Sequence, residues 1–214
     1  MENFEKLIEL IFKKKDGVEN SILIISGRIP NVFKKFLISF VSLVPRCKII
    51  CCLKKGEFYN LDEILSSETL TVMIASYNKK KRSSEIMLKQ KKNEMMIKIQ
   101  ILNLTQNCSK FFFGNFDRNS RSLVLFDTIF KERPDLKIFK KLILSFFKSK
   151  LTEPNLLPSF DHIISFFYIR SKIFLRIYQI CNNKKNQTNK EIKNQFCLVE
   201  IGPRFMAKIN KFSI

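Results

Sequence analysis

The 214-residue sequence predicts a mixed α/β (α+β) fold of two pseudo-symmetric α/β halves, and three observations carry that expectation. A short apolar run followed by an amphipathic helical segment occurs twice. Each occurrence is followed by several short runs with period-two alternation, the pattern of strands in a meander. The two helical segments even share letters, FKKFLISF at 33–40 and FKKLILSF at 139–146, in equivalent places after a strand.

Taken in order, Phe4, Leu7, Ile8 and Ile11 fall at helical spacing and predict an amphipathic helix in an N-terminal extension over 1–19. The body is expected over 20–212, with halves at about 20–104 and 105–212. SILIIS at 21–26, bounded by Gly27 and Pro30, reads as a buried strand. Phe33, Phe36, Leu37, Phe40 and Val44 then share one helical face, and Pro45 stops that helix. A second strand is expected at 49–53. Asn60 and Glu63 are placed to cap a short helix over 61–65. Strands at 69–77, 85–89 and 95–102 complete the first half. The second half begins with a strand at 122–126 and a helix carrying Phe139, Leu142, Ile143 and Phe146 on one face. Another meander is expected from strands at 161–169, 172–180, 196–201 and 204–209. The polar stretch 182–195 reads as a long mobile loop between the second and third of these.

Composition narrows the function. Hydrophobic residues make up 45% of the chain and charged residues 27%, which is too apolar for a disordered protein. Lys and Arg number 39 against 19 Asp and Glu, so the net charge is +20 and the preferred partner is a polyanion, nucleic acid above all. No run reaches the roughly 18 apolar residues of a spanning helix, so no membrane is expected. The first 15 residues lack the pattern of a secretory signal, which points to an intracellular protein. The six cysteines form no C-x-x-C pair, and with one histidine in the chain they read as reduced, mostly buried thiols.

Catalytic signals are weak. The five glycines are scattered, and none stands in a phosphate-loop or dinucleotide frame. His162 has Asp161 beside it but no nucleophile near it in sequence. Asp127, Asp161 and Glu200 are isolated acids near strand ends and read as structural caps, with no pair to hold two metals. Neither enzyme activity, a cofactor, a metal nor a small-molecule substrate is expected.

The positive signal is basic residues in loops and at strand ends, where an RNA backbone would be met: Arg28, Lys79, Lys80, Lys81, Arg82, Arg118, Arg121, Arg170, Lys172, Arg176, Arg204 and Lys208. Each can neutralise a phosphate and release counterions, giving salt-dependent and sequence-tolerant binding. Arg28, Lys80, Lys81, Arg82, Arg204 and Lys208 are the strongest candidates. Phe111, Phe112, Phe113, Phe116 and Tyr178 are candidates to stack on bases, although most phenylalanines at this spacing belong to a core.

VEIGPRF at 199–205 is the most specific motif, a strand ending in a Glu-x-Gly-Pro turn with an Arg opening the next strand. It resembles the signature of the Brix family. FDHIISFFYIRSKIFLRIYQI at 160–180 is similar to that family's paired strands, and SLVLFDTIFKERPDLKIFKKLI at 122–143 to its second strand–helix unit. ISGRIP at 25–30 resembles the first unit's Ser-Arg turn. The resemblance covers about 20–212 and implies halves that each resemble the anticodon-binding domain of class II aminoacyl-tRNA synthetases. It also implies a non-catalytic, nucleolar ribosome biogenesis factor that binds pre-ribosomal RNA of the large subunit beside other assembly factors. A small-subunit relative, or a tRNA-binding accessory module of the same fold, stays open. Two departures stand out: Arg170 and Ser171 form a hairpin turn without Asn, Asp or Gly, and Phe174 stands where relatives often have Trp.

Overall fold

A computed structural model describes residues 21–26, 29–44, 47–53, 71–90, 95–105, 121–147, 160–182 and 196–213. The elements are β1 (Ser21–Ser26), α1 (Asn31–Val41), β2 (Cys47–Leu53), β3 (Thr71–Asn78), β4 (Ser83–Lys89), β5 (Met96–Thr105), β6 (Arg121–Phe126), a 3-10 turn (Thr128–Lys131), α2 (Pro134–Phe147), β7 (Phe160–Ile169), β8 (Lys172–Asn182), β9 (Phe196–Glu200) and β10 (Arg204–Ser213). The mixed α/β class expected from the sequence is the one observed. The 3-10 turn was not expected; Asp127 starts it by accepting a hydrogen bond from the Thr128 amide at 2.7 Å. The expected helices over 1–19 and 61–65, the loop at 183–195 and Phe111 to Phe113 and Phe116 lie outside the described residues.

All ten strands form one sheet in the order β2-β1-β3-β4-β5-β10-β8-β7-β6, with β9 also paired to β8. β1 runs parallel to β2 and β3, and β6 runs parallel to β7. Parallel strands are covered on both faces, which is why β1 reads as an unbroken Ile and Leu run. Its Leu23 and Ile25 point into the main core, while Ile22 and Ile24 pack with Val72 and Ile74 on the opposite, outer face. Both helices lie on the inner face. Phe40 of α1 meets Phe147 of α2 edge-on at 5.6 Å, and Phe36 meets Phe205 of β10 at 5.7 Å. One continuous core therefore serves the whole sheet. Each fully buried Phe or Leu in it contributes about 1.5–3 kcal/mol.

The helices are tied crosswise. Ser21, the first residue of β1, donates to the Phe146 carbonyl of α2 at 2.6 Å, and its neighbour Thr71 on β3 donates to Ser145 Oγ at 2.7 Å. In the other direction, Ser122 at the start of β6 donates to the Leu43 carbonyl just past α1 at 3.2 Å. Ser122 also meets Nε2 of its register partner His162 at 2.6 Å. Each strand–helix unit thus caps the carboxyl end of the other unit's helix, whose last carbonyls lack intrahelical donors.

The second meander needs correction. The sequence suggests that the strand at 204–209 follows its predecessor as a neighbour, yet β9 and β10 do not pair with each other. They lie end to end along one edge of β8, Phe196 to Glu200 opposite Asn182 to Tyr178, and Phe205 to Ala207 opposite Leu175 to Ile173. Between them Ile201, Gly202 and Pro203 form a kink with a cis Gly202–Pro203 bond and Gly202 at φ 60°, a conformation free of Cβ clash only for glycine. β10 then continues alone along β5, as far as Ser213 opposite Met96. Nothing in a local hydrophobic pattern encodes this transfer from β8 to β5, because both neighbours present the same alternation.

Candidate nucleic-acid interface

The tight β3–β4 turn carries Lys79, Lys80, Lys81 and Arg82, all exposed. Asn78 shapes it by accepting from the Lys81 amide at 3.1 Å. Arg82 adopts φ 48°, the left-handed region that costs a residue with a Cβ about 1–2 kcal/mol. The β7–β8 turn is shorter, with Arg170 at φ 47° and Ser171 at φ 61° between the paired Ile169 and Lys172. Both central residues at positive φ define the primed hairpin turn that normally selects Asn or Gly. Two basic hairpin tips are thus held in backbone conformations that their residue types disfavour.

Register places these tips beside β10. Ser84 of β4 is opposite Ile101 of β5, which is opposite Ala207 of β10, which in turn is opposite Ile173 of β8. The Lys79–Arg82 turn therefore lies level with Arg204 to Met206, two strand spacings or about 10 Å from β10. Lys172 lies beside Lys208 on the adjacent strand. Of the six candidates, Lys80, Lys81, Arg82, Arg204 and Lys208 thereby gather around β10. Arg28 lies outside the described residues. Arg170 and Lys172, not among the six, join the group through a pairing between distant strands.

The cations are not equivalent. Arg204 shares the Glu200 carboxylate with Arg176, at 3.7 and 3.6 Å. Glu200 thus holds two arginines near the kink, and the trio keeps one net positive charge. Lys80, Lys81, Arg82, Arg170, Lys172 and Lys208 make no ion pair among the described residues. Next to Lys208, an open cleft of about 130 Å³ is lined by Arg133, Asp135, Tyr168, Ser171 and Ile209. Arg133 is committed there: it binds both oxygens of Asp135 at 3.1 and 2.7 Å and donates to Tyr168 at 2.6 Å. The hydrogen bond to Asp135 raises the Arg133 pKa and fixes its charge.

The structure brings to His162 the nucleophile-type residue that sequence distance concealed. Nδ1 of His162 meets Asp161, and Nε2 meets Ser122 Oγ. The order of atoms is that of a serine hydrolase triad, but the imidazole is fully buried and the serine abuts the Leu43 carbonyl. That neighbour is an acceptor, where acyl transfer needs donors for an oxyanion. Ser122 Oγ thus lies between His162 Nε2 and the Leu43 carbonyl, and the group reads as a structural relay joining the two units. Among the described residues no cluster of three or more His, Cys, Asp or Glu could hold a metal, and no helix is long and apolar enough to cross a membrane.

Comparison with known proteins agrees with the motif and the sheet. The Brix domain family model matches residues 27–211. The ribosome biogenesis protein BRX1 of Saccharomyces cerevisiae is 30% identical over 155 residues, 72% of this chain and 50% of the yeast protein. The human ribosome biogenesis protein BRX1 homolog is 27% identical over 203 residues, 94% of this chain and 54% of its own length. The chain thus spans about half the length of the curated relatives it matches. In fold it is similar to the crystal structure of a probable ribosomal biogenesis protein from Aeropyrum pernix K1, with TM-score 0.54, 8% identity, and coverage of 88% of this chain and 96% of that one. On the strength of the family match and this shared architecture, the chain belongs to the Brix domain family.

Proposed function

We propose that the protein is a ribosome biogenesis factor that binds pre-ribosomal RNA in the nucleolus during assembly of the large subunit, without catalysing a reaction. The observation that carries this reading is the gathering of basic groups around β10: the Lys79–Arg82 tip, Arg204, Lys208 and the Arg170–Lys172 tip. Rigid hairpins of this kind suit a folded RNA backbone, because they present charge to phosphates at a fixed spacing without reading bases. The names of the relatives support the biogenesis role, and other assembly factors are the expected protein partners. Arg28 is included from its motif alone.

Crosslinking of the full chain to RNA in cells, followed by sequencing of the bound fragments, tests the reading. Reads concentrated in large-subunit precursor RNA, and reduced by K80E/K81E/R82E, are the expected result. Reads in small-subunit precursor or in tRNA, or none above background, overturn it in favour of another paralogue's role or of a tRNA-binding module.

A further inference from the structure

β9 is the shortest strand among the described residues, spanning Phe196–Glu200 and pairing with β8 alone. A strand held by one short ladder opens locally more readily than the strands at the centre of a sheet. Its second residue, Cys197, lies directly opposite Cys181 of β8, and both thiols are free and half-exposed. The Ile201 amide donates to the Ile177 carbonyl at 2.9 Å, which sets the phase of this ladder. Counting from there in steps of two, Gln179–Val199 and Cys181–Cys197 are also hydrogen-bonded pairs, whose α-carbons stand about 5.5 Å apart. A disulfide spans α-carbons about 4.4–6.8 Å apart, so the backbone already has the spacing of a bridged pair. The two sulfurs also sense each other: lost hydration and then the facing Cys197 raise the Cys181 pKa. Cys47, by contrast, is buried and faces Ser21 of β1.

We propose that Cys181 and Cys197 are a reversible disulfide site, oxidised by glutathione disulfide, that clasps β9 to β8. The Cys197 thiolate attacks one sulfur of glutathione disulfide, forms a mixed disulfide and expels one glutathione thiolate. Cys181 then gives its proton to solvent and attacks the Cys197 sulfur, forming the intrachain bond and expelling the second glutathione. Two protein thiols are thereby oxidised, and one glutathione disulfide is reduced to two glutathione molecules. Cys197 acts first because the raised pKa of Cys181 keeps that thiol neutral. In a reducing compartment such a pair rests as the dithiol and is bridged only transiently. The bridge ties the two ends of the segment 182–196 together and removes the freedom of β9 to peel from β8. It also steadies Glu200 at the end of β9, the carboxylate that holds Arg176 and Arg204. The inference is independent of the RNA reading, since the thiols and the ladder alone carry it.

Incubating the purified, reduced full chain with glutathione disulfide, quenching in acid and mapping the peptides by mass spectrometry tests the proposal. The expected product is a monomer lighter by two hydrogens, with the Cys181 and Cys197 peptides joined and the bond reversed by dithiothreitol. Amide hydrogen exchange at Leu198 and Glu200 should slow about tenfold or more in the oxidised chain and recover on reduction. In Cys181→Ser the reaction should stop at a stable Cys197–glutathione mixed disulfide, and in neither Cys181→Ser nor Cys197→Ser should exchange in β9 slow on oxidation. Bridges that join other cysteines or a second copy instead, glutathione adducts that never resolve into the Cys181–Cys197 bond, or no reaction in the parent chain overturn the proposal. So does a Cys181–Cys197 bond that leaves exchange in β9 unchanged. The parent chain alone decides these outcomes, so they hold even where a variant fails to fold.

Discussion

Replacing the two reciprocal serines tests whether the crosswise ties hold the units together. Ser21→Ala removes one buried hydrogen bond of 2.6 Å and strands the Phe146 carbonyl near the end of α2. The bond itself is worth about 1 kcal/mol and the unpaired buried carbonyl adds about 1–2 kcal/mol. Ser122→Ala disturbs two groups at once, the Leu43 carbonyl and His162 Nε2, the latter on a fully buried ring. The same reasoning applied twice gives about 4–6 kcal/mol. Urea unfolding of each variant, read from midpoint and slope, measures the difference, with Ser84→Ala as a control expected within about 0.5 kcal/mol of the parent. A loss for Ser122→Ala no larger than that for Ser21→Ala would refute the relay, because it would mean that His162 does not depend on Ser122.

Further outcomes follow from the basic groups, the turns and the thiols. RNA affinity should fall steeply with salt, and K80A/K81A/R82A should flatten the slope of log K against log salt by about 2–3 in a filter-binding titration; an unchanged slope removes that tip from the interface. Ser171→Gly should stabilise the fold by about 0.5–1 kcal/mol, since glycine relieves the left-handed strain and gives back part of it as unfolded-chain entropy; a lower urea midpoint would contradict the strain. The Cys181 thiol is raised in pKa, first by lost hydration at its half-buried site and then by the facing Cys197, so iodoacetamide should modify it slowly at pH 8. Cys197→Ser should speed that reaction, as peptide mapping would show. Because the neutral thiol is favoured in the folded state, its stabilising contribution is complete below the ordinary thiol pKa and fades as pH rises through the raised value.

Much of the fold was legible because strands and helices here obey their periods. The runs at 21–26 and 172–180 and the helical face of Phe139 to Phe146 fall within the observed elements, whereas the face on Phe33 loses Val44 because α1 ends at Val41, ahead of Pro45. The boundaries moved where hydrophobicity gives no signal, as at β10, which runs to Ser213 through the polar Asn210 and Lys211. What was not legible was non-local. Ser122 and His162 are 40 residues apart and meet only through parallel register. The basic site was half legible: residue type and position near turns marked Lys80 to Arg82 and Lys208, but only the β8–β10–β5 pairing shows that Arg170 and Lys172 belong with them.

The strand shared between β8 and β5 has a consequence for how the chain reaches its native state during synthesis. β5 is made early, and its outward edge stays open until β10, nearly a hundred residues later, arrives to close it. A nascent chain that has completed β1 to β5 therefore displays an unsatisfied row of amides and carbonyls, the kind of template on which chains join one another. The first unit cannot finish independently of the second, and long-range closure of this sort slows folding. The alternating Lys98 and Gln100 on β5 guard that edge in the interval, so their replacement by apolar residues should show itself as aggregation of the emerging chain before any change in the finished protein.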